Sequence, residues 1–127
     1  MDTDNLLNDM KTTILDLIGD LKENIFILSD EQGDLILVEF FFKKIHPDRV
    51  IQHIIDHVLP WKDKIKKRDI NFFIENQGIF QGLPDDRIFH YGEVIGRSDR
   101  VDDEDRRVIW EYFDTMIILS EEYKKNK

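Results

Sequence analysis

Two histidines offer the most specific chemistry in this 127-residue sequence, because His53 and His57 are four residues apart and would share one face of a helix. Together with Asp56 or His46 they could ligate a metal ion. Positions 54 and 55 are both isoleucine, so the HExxH motif is absent. Both histidines also fall outside the apolar stripe of the same segment. We therefore interpret them as solvated side chains and predict no metal site and no cofactor.

Catalytic patterns are also missing. The acidic runs at 85–86 and 102–105 directly precede or open predicted helices, where carboxylates favour the helix dipole. None of Ser29, Ser98 and Ser120 lies in a Gly-x-Ser-x-Gly turn, and the sequence has no phosphate-binding glycine loop. There is no cysteine to act as a nucleophile. The sequence predicts a protein that is not an enzyme.

Composition restricts the class of protein further. Hydrophobic residues make up 41% of the chain and charged residues 35%, with a net charge of −9. No apolar run approaches the roughly 18 residues of a membrane span. The acidic N-terminus, with Asp2 and Asp4, is unlike a signal peptide. We expect one acidic, cytosolic domain over residues 1–127, with helices at 1–45 and a Pro-kinked helix, a turn segment and a closing helix at 46–127.

One basic segment interrupts the acidic chain. It could bind phosphate or an acidic partner, but the interleaved Asp63 and Asp69 favour a solvated helix face. The overall negative charge argues against nucleic-acid binding. This basic patch consists of Lys62, Lys64, Lys66, Lys67 and Arg68.

Apolar spacing of three and four residues predicts a first amphipathic helix. Its stripe could pack within a bundle, which we favour, or pair with a second copy of the chain as a homodimer. The stripe continues towards Ile25 and Leu28, and its main members are Leu7, Met10, Ile14, Leu17 and Leu21.

The next segment is apolar nearly all round at 35–42, which fits a strand or a buried helix. We favour a buried central helix at about 35–45, because the other segments read as helical and a lone strand would leave its N–H groups unpaired. Ser29 and Gln32 have the spacing of a capping box at its start.

The remaining segments complete an all-α prediction. Pro47 opens a helix that Pro60 breaks, and Gly78 fits a helix stop. A turn at 78–84 leads to a short helix that ends near Gly96, and a last helix runs from about 102 to 123. We predict a compact bundle of five or six helices.

Aromatic residues exceed what a minimal bundle core needs, so some could anchor a partner. The pair Ile79 and Phe80, in a turn between glycines, is the foremost candidate. The alternative is that this pair folds back and staples the helices. The predicted partner-binding residues are Ile79, Phe80, Trp61 and Trp110.

A series of motifs covers about half of the chain. They are Val58-Leu59-Pro60-Trp61-Lys62, Arg68 with Phe72-Phe73, Asn76, Ile79-Phe80, Gly82-Leu83-Pro84 and Ile109-Trp110-Glu111-Tyr112-Phe113-Asp114. In order and spacing this series resembles small helical proteins encoded by large nucleocytoplasmic DNA viruses (giant viruses). The resemblance implies a protein of the host cytoplasm or the virion, and it brings no catalytic residues with it.

Three functions follow as expectations. The first is a non-enzymatic viral module that binds a host or viral protein through an aromatic helix face or the 78–84 turn. The second is a self-associating virion component. The third, an enzyme, would need a pocket that gathers His53, His57 and acidic groups. A minor alternative is a Bcl-2-like modulator of host cell death, since a small viral helical bundle resembles that family, and Gly96-Arg97 is a fragment of its Gly-Arg signature.

Overall fold

The computed structural model describes residues 2–76, 79–80 and 82–126. In these residues all regular structure is helical, with five helices of 11 to 23 residues, two of five residues and one 3₁₀ turn. The predicted all-α bundle is confirmed. The helices are α1 Thr3–Asn24, α2 Ser29–Lys44, α3 Pro47–His57, α4 Lys62–Lys66, α5 Asn71–Glu75, α6 Asp85–Arg97 and α7 Asp103–Lys125, with the 3₁₀ turn at Leu59–Trp61.

Helix α1 is the central element of the bundle. It packs against α2, α3 and α7, and its buried stripe comprises Leu6, Met10, Ile14, Leu17, Ile18 and Leu21. The predicted stripe therefore packs within the chain. The structure does not support a homodimer through Leu7, Met10, Ile14, Leu17 and Leu21, because Leu7 is partly buried against the core and the other four are at most 1% exposed.

Helix α2 confirms the helical interpretation of residues 35–42, but the prediction that it is a buried central helix is wrong. Its inner side packs on α1 and buries Leu35, Val38 and Phe42. Its opposite side is exposed, because α1 covers only one side of α2.

The predicted capping box is also displaced by one residue. The N-cap position belongs to Leu28, whose N–H donates to the Glu31 carboxylate over 3.4 Å. The Gln32 amide instead donates to the Phe26 carbonyl at 2.7 Å, which fixes the connector between α1 and α2.

Helix α3 begins with Pro47 at its first turn and buries Val50, Ile51 and Ile54, as its spacing predicts. The chain then turns through the 3₁₀ segment at Pro60 and enters α4. Beyond α4, α5 joins the bundle through aromatic rings around Phe72. Ring centroids within 6.1 Å of Phe72 belong to Trp61, Phe73, Trp110 and Phe113.

Helices α5 and α6 pack closely because of one glycine. A Cβ atom at Gly92 would lie 2.3 Å from the backbone oxygen of Phe73, so no larger residue fits there. Helix α6 ends at Arg97, one residue beyond the predicted stop at Gly96. The predicted stop at Gly78 lies outside the described residues. In the part of the chain that is described, no helix has the length and apolarity to cross a membrane.

Candidate protein-interaction face

The most distinctive surface feature is an exposed apolar side of α2. Ile36, Leu37 and Phe40 are 53%, 61% and 54% exposed, and they lie on adjacent turns of one helix. Gly33 precedes them by one turn, with open space where a side chain would stand. We call Gly33, Ile36, Leu37 and Phe40 the outer face of α2.

Clustering distinguishes the outer face from the other exposed apolar residues. Ile70, Phe89 and Ile118 lie singly on separate segments of the chain, and Ile27 and Leu28 lie in the connector before α2. Phe41 is 36% exposed and lies on α2 beside the outer face. Single exposed apolar side chains are ordinary on protein surfaces, whereas the largest contiguous apolar patch of a protein is often functional. The outer face is therefore the strongest candidate for a functional surface.

A buried ion network fixes the first turn of α2. Glu31 is only 1% exposed, and its carboxylate accepts hydrogen bonds from both terminal nitrogens of Arg100, at 2.8 and 2.7 Å. The ring of His90 lies 2.7 Å from the same carboxylate. The hydrogen bonds from Arg100 are the main reason why the pKa of Glu31 falls to about 2.

A second network joins α2 to α6 one turn later. Asp34 accepts hydrogen bonds from the Tyr91 hydroxyl at 2.6 Å and from Arg87 Nε at 2.7 Å. Burial, followed by the bond to Asp34, raises the pKa of the Tyr91 hydroxyl above its ordinary range. These contacts hold the N-terminal half of α2 rigidly against α6, while its outer face stays uncovered.

The C-terminal end of α2 is fixed by α1. The Lys11 amine donates to the carbonyls of Lys43 and Ile45, at 2.8 and 3.0 Å, and so satisfies carbonyls that the helix leaves unpaired. Lys22 pairs with Glu39 at 2.8 Å. The outer face is thus presented by a helix that is anchored at both ends, which is the rigidity that a preformed binding surface needs.

Opposite charges flank the outer face. Asp30 is exposed in the first turn of α2, where it also pairs with Arg87 of α6 over 3.1 Å, and Lys43 and Lys44 are exposed in the last turn. The Lys44 amine lies 4.6 Å from the centroid of the Phe40 ring, in cation–π geometry. The surface therefore runs from an acidic end, across an apolar centre, to a basic end.

The sequence-predicted anchors lie elsewhere and are mostly covered. Ile79, Phe80 and Trp110 are buried, and Trp61 is partly buried against the core. The exposed-anchor interpretation of Ile79 and Phe80 is wrong, because Phe80 stacks on the buried ring of Tyr91 with centroids 5.1 Å apart. The alternative, that this pair staples the helices, fits the structure.

The staple interpretation predicts a stability effect. Phe80→Ala should lower the free energy of unfolding by about 3 kcal/mol, the low end for a buried aromatic residue, because a turn can partly collapse into the space. Thermal melting monitored by circular dichroism measures the effect, and Phe89→Ala, at an exposed position of α6, is the control. An unchanged melting temperature for Phe80→Ala would contradict the staple.

The basic patch is largely paired with carboxylates. Arg68 makes a bidentate contact with Asp114, both bonds 2.7 Å long, and Lys62 pairs with Glu121. Lys64 lies 3.5 Å from Asp69. The remaining members, Lys66 and Lys67, follow on the same short segment. Because three of the five charges serve ion pairs within the chain, the solvated-face interpretation fits better than a phosphate-binding patch.

The two histidines of α3 lie next to each other, with ring centroids 4.5 Å apart. Among the described residues, no group of three or more histidine or acidic side chains has the arrangement of a metal site. Near His57 an open cleft of about 510 Å³ is lined by Asp56, Trp61, Glu75 and Asp85 among others. Its carboxylates are exposed to solvent, unlike the buried polar groups of a preformed ligand pocket.

Comparison of the chain with protein-family models, with curated proteins and with solved structures finds no match. The fold and the surface define the class of protein: an all-helical bundle that presents one anchored helix with an uncovered apolar face.

Proposed function

We propose that this protein is a non-catalytic protein–protein interaction module that binds through the outer face of α2. The observation that supports the proposal is the exposure of Ile36, Leu37 and Phe40 on a helix held at both ends. Burial of such side chains on binding releases roughly 25 cal/mol per Å² of apolar surface. The inner side of α2 already stabilises the bundle, so the outer face is free to serve binding.

The composition of the face supports the same proposal. An exposed aromatic ring beside aliphatic side chains is the typical centre of an interface, and charged residues form its rim. Phe40 has few rotatable bonds and loses little conformational entropy when a partner covers it. Asp30 and Lys44 at the two ends would set the direction in which a partner helix binds.

The setting of this interaction is proposed from the sequence resemblance. The motifs from Val58 to Asp114 resemble small helical proteins of giant viruses, and on this resemblance we propose that the module acts in an infected host cell or in the virion. Its partner is then a host protein, a viral protein or another copy of the chain.

Photo-cross-linking from the outer face tests the proposal. A photoreactive phenylalanine analogue is incorporated at position 40, and in a matched variant at position 89, because Phe40 and Phe89 are almost equally exposed. After irradiation in cells, we expect position 40 to give a protein adduct several-fold more abundant than any adduct from position 89. Equal yields at both positions, or no adduct at either, would contradict binding through the outer face.

A further inference from the structure

We propose that the partner of the outer face is a second copy of this chain, bound so that the two α2 helices pair antiparallel about a two-fold axis. The inference rests on the proposed function and specifies its occupant. It depends on the charge order along α2, on the position of Gly33 and on the symmetry of the apolar residues.

The charge order favours an antiparallel copy. A partner helix with charges of one sign would be attracted at one end of the outer face and repelled at the other. The partner helix with the best charge complementarity has basic residues opposite Asp30 and acidic residues opposite Lys43 and Lys44. The chain's own α2, turned end to end, has this order, and antiparallel packing also places the two helix dipoles favourably.

The apolar residues match about the same axis. A two-fold axis between Ile36 and Leu37 sets Ile36 opposite the partner's Leu37. One helical turn away from the axis on either side, Gly33 lies opposite the partner's Phe40. Since nothing lies within 4 Å of a Cβ atom at Gly33, its position leaves a space on the helix surface that a phenylalanine ring can fill.

The same axis brings opposite charges together at each end. Asp30 lies beside Lys44 of the partner subunit, and the symmetry forms this contact twice. Side chains on one flank of a helix meet the same flank of an antiparallel partner, and Asp30 and Lys44 share a flank of the outer face. The contact is thus a consequence of the register that Gly33 and Phe40 set.

Size and net charge indicate a weak dimer. The half-exposed side chains of the outer face present on the order of 400 Å² of apolar surface, about half of what each partner contributes to a standard interface. Two copies of net charge −9 also repel each other, but this repulsion is screened beyond about 8 Å at physiological salt. We expect a dissociation constant in the micromolar range or weaker.

Sedimentation equilibrium of the full chain tests the inference, over about 5 to 500 µM protein in about 0.15 M salt. The wild type should form dimers within this range. Asp30→Lys and Lys44→Glu should each weaken the dimer about tenfold, because each places like charges at both ends. An equal mixture of the two variants should restore dimers to within about twofold of the wild type, since opposite charges then meet at both ends of a mixed pair.

Matched controls separate this contact from the net charge. Asp9→Lys and Lys124→Glu change the charge by the same amounts on exposed parts of α1 and α7, and they should leave dimerisation unchanged. Gly33→Gln is a second test of the contact. The longer side chain extends into open space in the monomer, but in the dimer it occupies the space that the partner's Phe40 would fill. We expect it to abolish dimers while the melting temperature of the dilute monomer is maintained or rises.

A wild-type chain that stays monomeric up to the highest concentration would overturn the inference. So would a mixture that does not regain dimers, since a parallel pair or a dimer through another surface gains nothing from mixing. The cross-link from position 40 distinguishes the two proposals. An adduct of twice the chain mass supports the second copy, whereas an adduct with a different protein supports the interaction module and excludes the second copy as its partner.

Discussion

Phe42→Ala should lower the free energy of unfolding by about 3–5 kcal/mol, whereas Phe40→Ala should change it by less than about 0.5 kcal/mol. The two phenylalanines are two residues apart on α2. Phe42 is fully buried, with its ring 5.2 Å from that of Phe41 and 6.0 Å from that of His53. Truncation of Phe42 leaves a cavity, while truncation of Phe40 removes an exposed ring and gains helix propensity.

Urea unfolding of both variants at low micromolar concentration measures these values. The denaturant midpoint should fall strongly for Phe42→Ala and stay near that of the wild type for Phe40→Ala, with the slope unchanged for both. A large loss of stability for Phe40→Ala would show that an element of the chain covers the outer face, which would contradict its role as a binding surface. The comparison therefore tests the fold and the proposed function together.

The sequence predicts those parts of the fold whose apolar residues recur with one clear period. The stripe that runs from Leu7 to Leu21 and the stripe of α3 each define one buried side, and the structure places them as expected. Residues 35–42 have no such period, because apolar side chains occur all round the helix. Such a run predicts a helix with two apolar sides but does not show whether the second side is covered.

The outer face could have been located from that same run. Once α1 covers Leu35, Val38 and Phe42, the helical wheel leaves Ile36, Leu37 and Phe40 on the opposite side. What the sequence lacks is evidence on how many elements cover α2, since this depends on tertiary packing. The error about the 78–84 turn has the same cause. Aromatic content favours Phe80 as a partner-binding residue, but tertiary packing buries it against Tyr91.

The ion network of Glu31 could not be predicted from spacing. Its main partner, Arg100, lies 69 residues further along the chain. Acidic residues near a helix start are usually exposed and stabilise the dipole, and the sequence favours this interpretation for the acidic runs at 85–86 and 102–105. Only the packing of the connector before α7 against the start of α2 shows that one of them is buried.

Glu31→Gln should lower the free energy of unfolding by about 3 kcal/mol at pH 7, and this difference from the wild type should disappear in acid. The pKa of Glu31 is about 2 in the folded protein against 4.5 for the unperturbed group. Its ionisation therefore contributes stability that is fully present above about pH 4.5 and is lost as the pH falls through about 2. An uncharged glutamine keeps the size of the side chain but loses the charge-assisted bonds to Arg100.

Unfolding of the wild type and of Glu31→Gln in urea, at pH values from 7 to 2, measures this dependence. The carboxylates remote from this network titrate alike in both proteins, so the difference between the two curves reports on Glu31 together with its contacts to Arg100 and to the ring of His90. Glu104→Gln is the matched control, because Glu104 also pairs with an arginine but is exposed, and it should have little effect at any pH. A difference between wild type and Glu31→Gln that is as large at pH 2 as at pH 7 would mean that the stability comes from the shape of the side chain and not from its charge.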